Sequence, residues 1–350
     1  MKKTAVVGMS GGVDSSVSAF LLKEEGYEVI GLFMKSWEET DERGVCKASL
    51  EYEDVLRVSD ALKIPSYSVN LVDAYRERVF AEFLDDLRHG LTPNPDVLCN
   101  REIKFDAFLQ KAKDLGADFL ATGHYCRLDA EGRLLKGSDP NKDQSYFLHA
   151  VKKGALAQVL FPVGHLPKQE VRKIARKAGL STSEKKDSTG ICFIGKRDFK
   201  PFLSQYLGYR EGLLKKLDGE IVGQHDGAAY YTIGQRKGMG LGGEGEAWFV
   251  VGKNIEKNEV YVERGADHPA LFSQGLTASR LTWLGEEPKD FPYRCSAKIR
   301  YRQEGKPCTL FAPKNGAAAV LFDNPQRAIT PGQSVVFYDG DVCLGGGRIA

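Results

Sequence analysis

The sequence predicts an α/β protein with an N-terminal doubly wound parallel sheet, a small β-rich central domain and a C-terminal β-barrel. Three observations carry this expectation. Over the first 200 residues, apolar strand-like runs alternate with amphipathic helical stretches, the pattern of a parallel sheet covered on both faces. From about residue 210 glycines become dense among short strand-like pieces. From about residue 272 to the end, period-two alternation broken by turn residues points to a barrel or sandwich. The expected boundaries are 1–200, 201–271 and 272–350.

Each element has a local reason. Thr4 to Val7 is apolar and β-branched enough for a buried strand, and Ser15 to Glu25 reads as an amphipathic helix stopped by Gly26. Glu28 to Met34 is a second strand. Residues 51–62 are helical until Lys63-Ile64-Pro65 ends them. Ser66 to Val69 reads as a strand, then Ala74 to Arg88 as a helix with Tyr75, Val79, Phe83 and Leu87 on one stripe. A proline-bearing loop, Thr92 to Asn100, precedes a helix from Phe105 to Leu115 and a strand from Phe119 to Thr122. Further on, Ala228 to Ile233 looks extended, and Trp248 to Val251 with Val260 to Glu263 looks like a hairpin. Strands are expected at Ser296 to Tyr301, Cys308 to Ala312, Ala317 to Phe322 and Ser334 to Tyr338, with turns at 313–316 and at Asp339-Gly340.

The most informative run is Gly8-Met9-Ser10-Gly11-Gly12-Val13-Asp14-Ser15-Ser16, directly behind the first strand. A glycine-rich turn between strand and helix aims backbone N–H groups and the helix dipole at one point, which suits a phosphate. Ser10, Ser15 and Ser16 add hydroxyls, and Asp14 adds a carboxylate able to orient Mg²⁺. The run contains no Lys and does not fit G-x-x-x-x-G-K-[ST] or G-x-G-x-x-G.

At 350 residues and 42% hydrophobic, the chain has material for two or three ordinary cores. No apolar run approaches the ~18 residues of a membrane span, and the start is too polar for a signal peptide. A cytoplasmic protein is therefore expected, with no membrane partner. The net charge of +2 hides an asymmetry: residues 1–99 carry −7 and the rest +9. Residues 151–216 hold 15 basic side chains against 5 acidic, with Lys168, Arg172 and Arg176 spaced along one helix face and Lys173 and Lys177 beside them. Such a face is either simply solvated or a track for RNA phosphates.

Seven Cys with no C-x-x-C argue against both a zinc site and a disulfide framework. Cys46, Cys126, Cys295, Cys308 and Cys343 read as small buried hydrophobes. Cys99 follows the constrained 92–98 loop, and Cys192 lies among turn residues near Lys185 and Lys186, where positive charge favours a thiolate. Local context leaves both open, as core residues or as a pair passing sulfur through a transient disulfide.

The loop at 8–16 resembles the SGGxDS pyrophosphatase loop (PP-loop) of enzymes that split ATP to AMP and pyrophosphate. Beyond it, GLFMKSWEE (31–39), TPNPDVLCNREIKF (92–105), ATGHY (121–125), NKDQSYFL (141–148) and KKDSTGICFIG (185–195) closely resemble tRNA-specific 2-thiouridylases. So do YYTIGQRKGMGLGG (230–243), IRYRQ (299–303) and TPGQSVVFYDGDVCLGGG (330–347), so the likeness spans the chain. It implies an adenine nucleotide alpha hydrolase-like fold for the first domain and an enzyme that places sulfur at C2 of the wobble uridine, position 34, of tRNA.

By that resemblance Gly8, Met9, Ser10, Gly11, Gly12, Val13, Asp14 and Ser15 bind ATP, with Met34 and Gly123 near adenine and ribose. Asn94, Pro95 and Asp96 approach the target base, with Asp96 as acid/base or positioning group. His124, Lys142, Asp143, Gln144, Tyr301, Arg302 and Gln333 stand for tRNA contacts. Cys192 stands for the persulfide carrier and Cys99 for the nucleophile that closes a disulfide with it. ATP and Mg²⁺ are the implied cofactors, and a cysteine desulfurase or sulfur-relay carrier the implied donor. Direct persulfide attack and release of hydrosulfide both remain open, as does an iron–sulfur variant using Cys99, Cys192 and Asp96. The competing reading is a PP-loop ligase forming a C–N bond, which needs the loop but not Cys99.

Overall fold

The computed structural model describes residues 2–38, 47–186 and 199–350. Its first sheet is all parallel. β1 (Thr4–Met9) lies at the centre, between β2 (Glu28–Lys35) and β4 (Phe119–Ala121), with β3 (Ser66–Asn70) beyond β2 and β7 (Val159–Leu160) beyond β4. The chain builds outward from β1 on one side, then returns to lay β4 on the other. That reversal opens a crevice at the carboxyl ends of β1 and β4, where doubly wound sheets hold ligands. Alternation along β1 divides the core between two faces. Ala5, Val7 and Met9 pack with helix α1 (Val13–Glu24) and helix α2 (Lys47–Leu62), while Val6 joins Tyr75, Phe83, Phe105 and Phe108 on the other.

Several expected elements are longer than the sequence suggests, and some are different. The helix read as Ala74 to Arg88 begins at Val72 and contains a π-helical turn, Arg76–Phe80. The helix read from Phe105 starts earlier: Pro95–Leu98 is helical and runs into a π-helical turn, Cys99–Ala107, then Phe108–Asp114. Phe105 marks the kink, at φ −102° and ψ 19°.

Between β4 and β7 a hairpin forms from β5 (Cys126–Leu128) and β6 (Leu134–Lys136), which the sequence reading missed. Beyond residue 199, β8 (Gly212–Lys215), β9 (Ile221–His225), β10 (Trp248–Asn254) and β11 (Glu259–Arg264) make a four-stranded sheet in the order β10-β11-β8-β9. The β10–β11 hairpin is as expected. Ala228 to Ile233 is not a strand; Ala228–Tyr230 is a 3-10 turn, because Asn258 Oδ1 accepts from the Ala228 N–H at 3.0 Å and takes the backbone out of any ladder.

The C-terminal strands β12 (Phe272–Trp283), β13 (Tyr293–Lys298), β14 (Lys306–Leu310), β15 (Ala317–Arg327), β16 (Ser334–Asp339) and β17 (Val342–Ile349) run in the order β12-β15-β14-β13-β16-β17. A further β12–β17 pairing closes them into a six-stranded barrel. β13 stops at Lys298 rather than reaching Tyr301, since Gln303 Oε1 accepts from the Ile299 N–H at 3.1 Å and closes a turn with Arg302 at φ +64°. The β5–β6 hairpin adds to the edge of β17 through Leu135 and Val342, so the first domain lends strands to the barrel. Among the described residues no helix is long and apolar enough to cross a membrane.

Candidate active site

The loop joining β1 to α1 sits at the crevice. Gly11 adopts φ +68°, and a Cβ there would come within 2.6 Å of the Glu51 carbonyl oxygen, so both conformation and space require glycine. Gly12 is the N-cap of α1 and has no side chain to cap it, which leaves the first-turn N–H groups for an anion. The Ser15 hydroxyl accepts from the Ser10 N–H at 3.2 Å and donates to Gly12 O at 3.1 Å, holding the loop closed on itself. Gly123, just after β4, passes so close that a Cβ would lie 2.9 Å from Ser15 N. Met34, half-buried, is the penultimate residue of β2, the neighbouring strand.

Two lysines reach this loop from outside it. Lys168 Nζ donates to both carboxylate oxygens of Asp14, at 2.6 and 2.7 Å, and Tyr125 Oη donates to one of them at 2.7 Å. Lys185 Nζ donates to Gly11 O at 2.8 Å and to Asp54 Oδ2 at 2.6 Å. The basic helix Lys168–Lys177 is therefore not the uniform RNA track considered above. Lys168 is only 8% exposed, and Arg172 donates to the carbonyls of Ser183 and Lys185 at 2.7 and 3.0 Å. These side chains turn inward because the nucleotide loop and the segment through Lys185 offer them acceptors. Lys173, Arg176 and Lys177 stay exposed.

The 92–99 segment forms the second part of the site. Asn94 caps its helix by accepting from Asp96 N and Val97 N, and Pro95 occupies the first turn, which fits both residue types. Thr92 is tied to the barrel: its N–H donates to Pro331 O at 2.8 Å, and its carbonyl accepts from Gln333 Nε2 at 2.9 Å. Cys99 has no exposed surface. The helical stretch that contains it continues to Phe108, whose Cε1 lies 3.1 Å from where a Gly8 Cβ would be at the end of β1. Cys192 and Cys46 lie outside the described residues.

The remaining expected RNA contacts divide. His124 is buried, its Nδ1 paired with Thr122 Oγ1 at 2.8 Å and its ring against Phe105 and Phe161. Burial, with the Lys104 charge second, holds its imidazole well below the usual histidine range. Asp143 is also buried: it accepts from Gly137 N and Ser145 N, both at 3.1 Å, and pairs with Lys298 at 2.9 Å. Both are buried in this conformation, and Asp143 fixes the backbone at Gly137 and Ser145. Gln144 accepts from Tyr125 N at 3.0 Å, linking the 142–144 motif to the residue that touches Asp14. Lys142 is half-buried. Tyr301 packs on Phe147 with centroids 4.4 Å apart, and Arg302 lies over Tyr301 at 5.4 Å.

Lys168, Lys185, Tyr125 and Asp54 were missed as loop partners. Lys185 belonged to a block already singled out; for Lys168 the helical charge pattern pointed the wrong way.

Architecture and loop together define a doubly wound α/β domain with a glycine-rich loop at its crevice, carrying two β modules. The tRNA methyl transferase HUP domain family matches residues 3–196, the tRNA methyl transferase PRC-barrel domain 200–264, and the aminomethyltransferase beta-barrel domain 273–349. The tRNA-specific 2-thiouridylase MnmA of Protochlamydia amoebophila is 61% identical over 99% of this chain and 93% of its own. Those of Halalkalibacterium halodurans and Bacillus subtilis are 58% and 57% identical, each over 98% of this chain and 94% of the relative. The chain belongs to the tRNA-specific 2-thiouridylase family. A solved NMN synthetase from Francisella tularensis overlaps 53% of this chain and 66% of that one at 17% identity, with a TM-score of 0.36.

Proposed function

We infer that this chain is an ATP-dependent sulfurtransferase that converts uridine 34 of tRNA to 2-thiouridine. The observation that carries the reading is the helical stretch from Pro95 through Cys99 to Phe108, which brings Phe108 against Gly8 at the end of β1, beside the loop whose Asp14 is clamped by Lys168 and Tyr125.

The uracil C2 oxygen is a poor leaving group. Its attack on the α-phosphorus of ATP gives an adenylated base and pyrophosphate, and AMP then departs readily. The loop N–H groups with Lys168 and Lys185 would neutralise the charge that develops on pyrophosphate. In this reading the Asp14 carboxylate, now held by Lys168 and Tyr125, would share a Mg²⁺ with the phosphate oxygens of ATP. When bound, that ion supplies further charge neutralisation at the phosphates.

Sulfur arrives on Cys192 as a persulfide, more acidic than a thiol. Its terminal sulfur attacks C2, AMP leaves, and the Cys99 thiolate attacks Cys192 Sγ to expel thiouridine. Alternatively Cys99 first releases hydrosulfide, which attacks C2. Both routes end in a Cys99–Cys192 disulfide that takes two electrons from a thiol reductant. Asp96, three residues before Cys99, would accept a proton or polarise the base. A cysteine desulfurase, directly or through a carrier, charges Cys192.

The test is incubation with ATP, Mg²⁺, a desulfurase, cysteine and unmodified tRNA, read by nucleoside mass spectrometry. The wild type should yield 2-thiouridine. Cys99→Ser and Cys192→Ser should abolish it while ATP binding persists, and Asp14→Ala should stop pyrophosphate release. 2-Thiouridine still formed by Cys99→Ser would remove Cys99 from the mechanism, and pyrophosphate release by wild type with no 2-thiouridine would instead favour a C–N ligase.

A further inference from the structure

We propose that Cys295 and Cys308, opposed across β13 and β14 of the barrel, form a dithiol that exchanges with small disulfides of the glutathione type and closes to an intrachain disulfide. The site is separate from Cys99 and Cys192, and it does not depend on the tRNA reading above.

The strand ladder makes the pair. Cys295 faces Cys308 directly in the antiparallel register, between the pairs Arg294–Thr309 and Ser296–Pro307. Residues so opposed hold their Cα atoms about 4.5–5.5 Å apart, inside the span that a disulfide bridges. The two Sγ atoms are 3.7 Å apart and share a hydrogen bond. Joining them takes rotation of the side chains rather than a shift of either strand. The register is pinned from the other face of the sheet. Arg294 Nη1 donates to Thr309 Oγ1 at 2.9 Å and to Asp323 Oδ1 at 2.7 Å, and its Nη2 to Asp323 Oδ2 at 2.8 Å, which ties β13 to β14 and β15.

Two features set this pair apart from the thiols that only pack. Cys126 and Cys343 are enclosed, and burial pushes both above the ordinary thiol range, Cys343 to about 12. Such thiols are inert. Cys308 also lies inside the barrel core, but Cys295 is only partly buried, so a reagent in solvent meets one sulfur and not the other. Hydrogen bonding from Cys295, helped by the Arg294 charge against the cost of burial, holds the Cys308 thiol below its ordinary range. The pair therefore carries a negative charge more readily than a lone buried thiol does. Among the described residues no group of three His, Cys, Asp or Glu side chains could hold a metal, which leaves thiol–disulfide exchange as the chemistry of these two sulfurs.

Exposure orders the steps. Cys295 Sγ, as its thiolate, attacks one sulfur of the external disulfide; that S–S bond breaks and the first small thiolate leaves. Cys308 Sγ then attacks Cys295 Sγ, breaks the mixed disulfide and expels the second. Both cysteine protons end on the two departing thiols, so the pair gives up two electrons and one external disulfide is reduced to two thiols. Sulfur transfer as read above turns a thiol reductant into such a disulfide at each turnover, so the ligand is of a class that this chemistry generates.

The experiment equilibrates the full native chain with oxidised glutathione in excess, quenches with acid, alkylates and identifies the cysteine peptides by mass spectrometry. More than half of the chain should carry a Cys295–Cys308 linkage, and dithiothreitol should return both residues to alkylatable thiols. Cys308→Ala should halt at a mixed disulfide of Cys295 with glutathione. Wild type with both residues still alkylated would overturn the proposal, as would a glutathione adduct persisting on its Cys295. A linkage formed only in urea would overturn it too, since the native ladder would then not be what joins the sulfurs. Should Cys308→Ala not fold, the wild-type peptides decide alone. Failure of tRNA thiolation in a parallel assay would sink the functional reading and leave this site standing.

Discussion

Asp14 accepts two hydrogen bonds from Lys168 and one from Tyr125, and this clamp explains how a phosphate loop without a lysine acquires one. A cation held by tertiary contact can be aimed as well as one inside the motif, and a buried one acts in a weaker dielectric than a surface charge. Lys168→Met should therefore lower tRNA-dependent pyrophosphate release by about 10²-fold. Lys168→Arg should recover part of it, measured as turnover with saturating ATP. A methionine variant of wild-type rate would show the ammonium to be only a structural partner of Asp14. This contact was illegible in the sequence, because Lys168, Arg172 and Arg176 repeat as a solvated helix face would. Helical spacing says which side chains share a face, not what that face meets.

β17 shows a similar gap one level up. Its run Leu344-Gly345-Gly346-Gly347 has weak strand character by composition, yet it is where the barrel closes, pairing with both β16 and β12. The glycines are there for room. A Cβ on Gly346 would lie 2.4 Å from Val335 O and 2.7 Å from His149 Nδ1, neither of which can retreat easily. Gly346→Ala should cost about 2–4 kcal/mol, read as a lower denaturant midpoint with m unchanged. By contrast β1, β2 and the Trp248–Asn254 hairpin strand were legible, since buried β-branched runs with turn residues at their ends have few other solutions. The π-helical turn at Cys99–Ala107 was not, as π geometry has no composition signature.

The domains are joined by side chains as much as by chain connection. Arg348 of the barrel pairs with buried Asp86, Arg280 reaches Glu82 at 2.6 Å, and His149 Nε2 bonds Ser334 Oγ at 3.0 Å. Burial, with Arg101 second, pulls the His149 imidazole down to about 3. Its folded value lies below its unfolded one, so the unfolded chain takes up the proton first. The penalty is absent above the usual imidazole range and grows as pH falls from there towards about 3, by at most ~1.4 kcal/mol per pH unit. Urea midpoints measured from pH 7 to pH 4.5 should fall in wild type and fall less in His149→Gln. Equal slopes would remove His149 from the acid response. The same seam pins Thr92 to Pro331 and Gln333, so loosening the barrel should also displace the Asn94–Cys99 segment.

Local chemistry already contained the parallel sheet, the glycine loop and the identity of the family, because each depends on residues close together in the chain. Periodicity and turn preference are short-range effects, and motifs preserve them in order. Which charges reach the glycine loop, that His124 and Asp143 are buried, and how the barrel closes depended on packing between distant segments. Burial and ion pairing are properties of the assembled core, where desolvation and the available acceptors determine where each side chain goes.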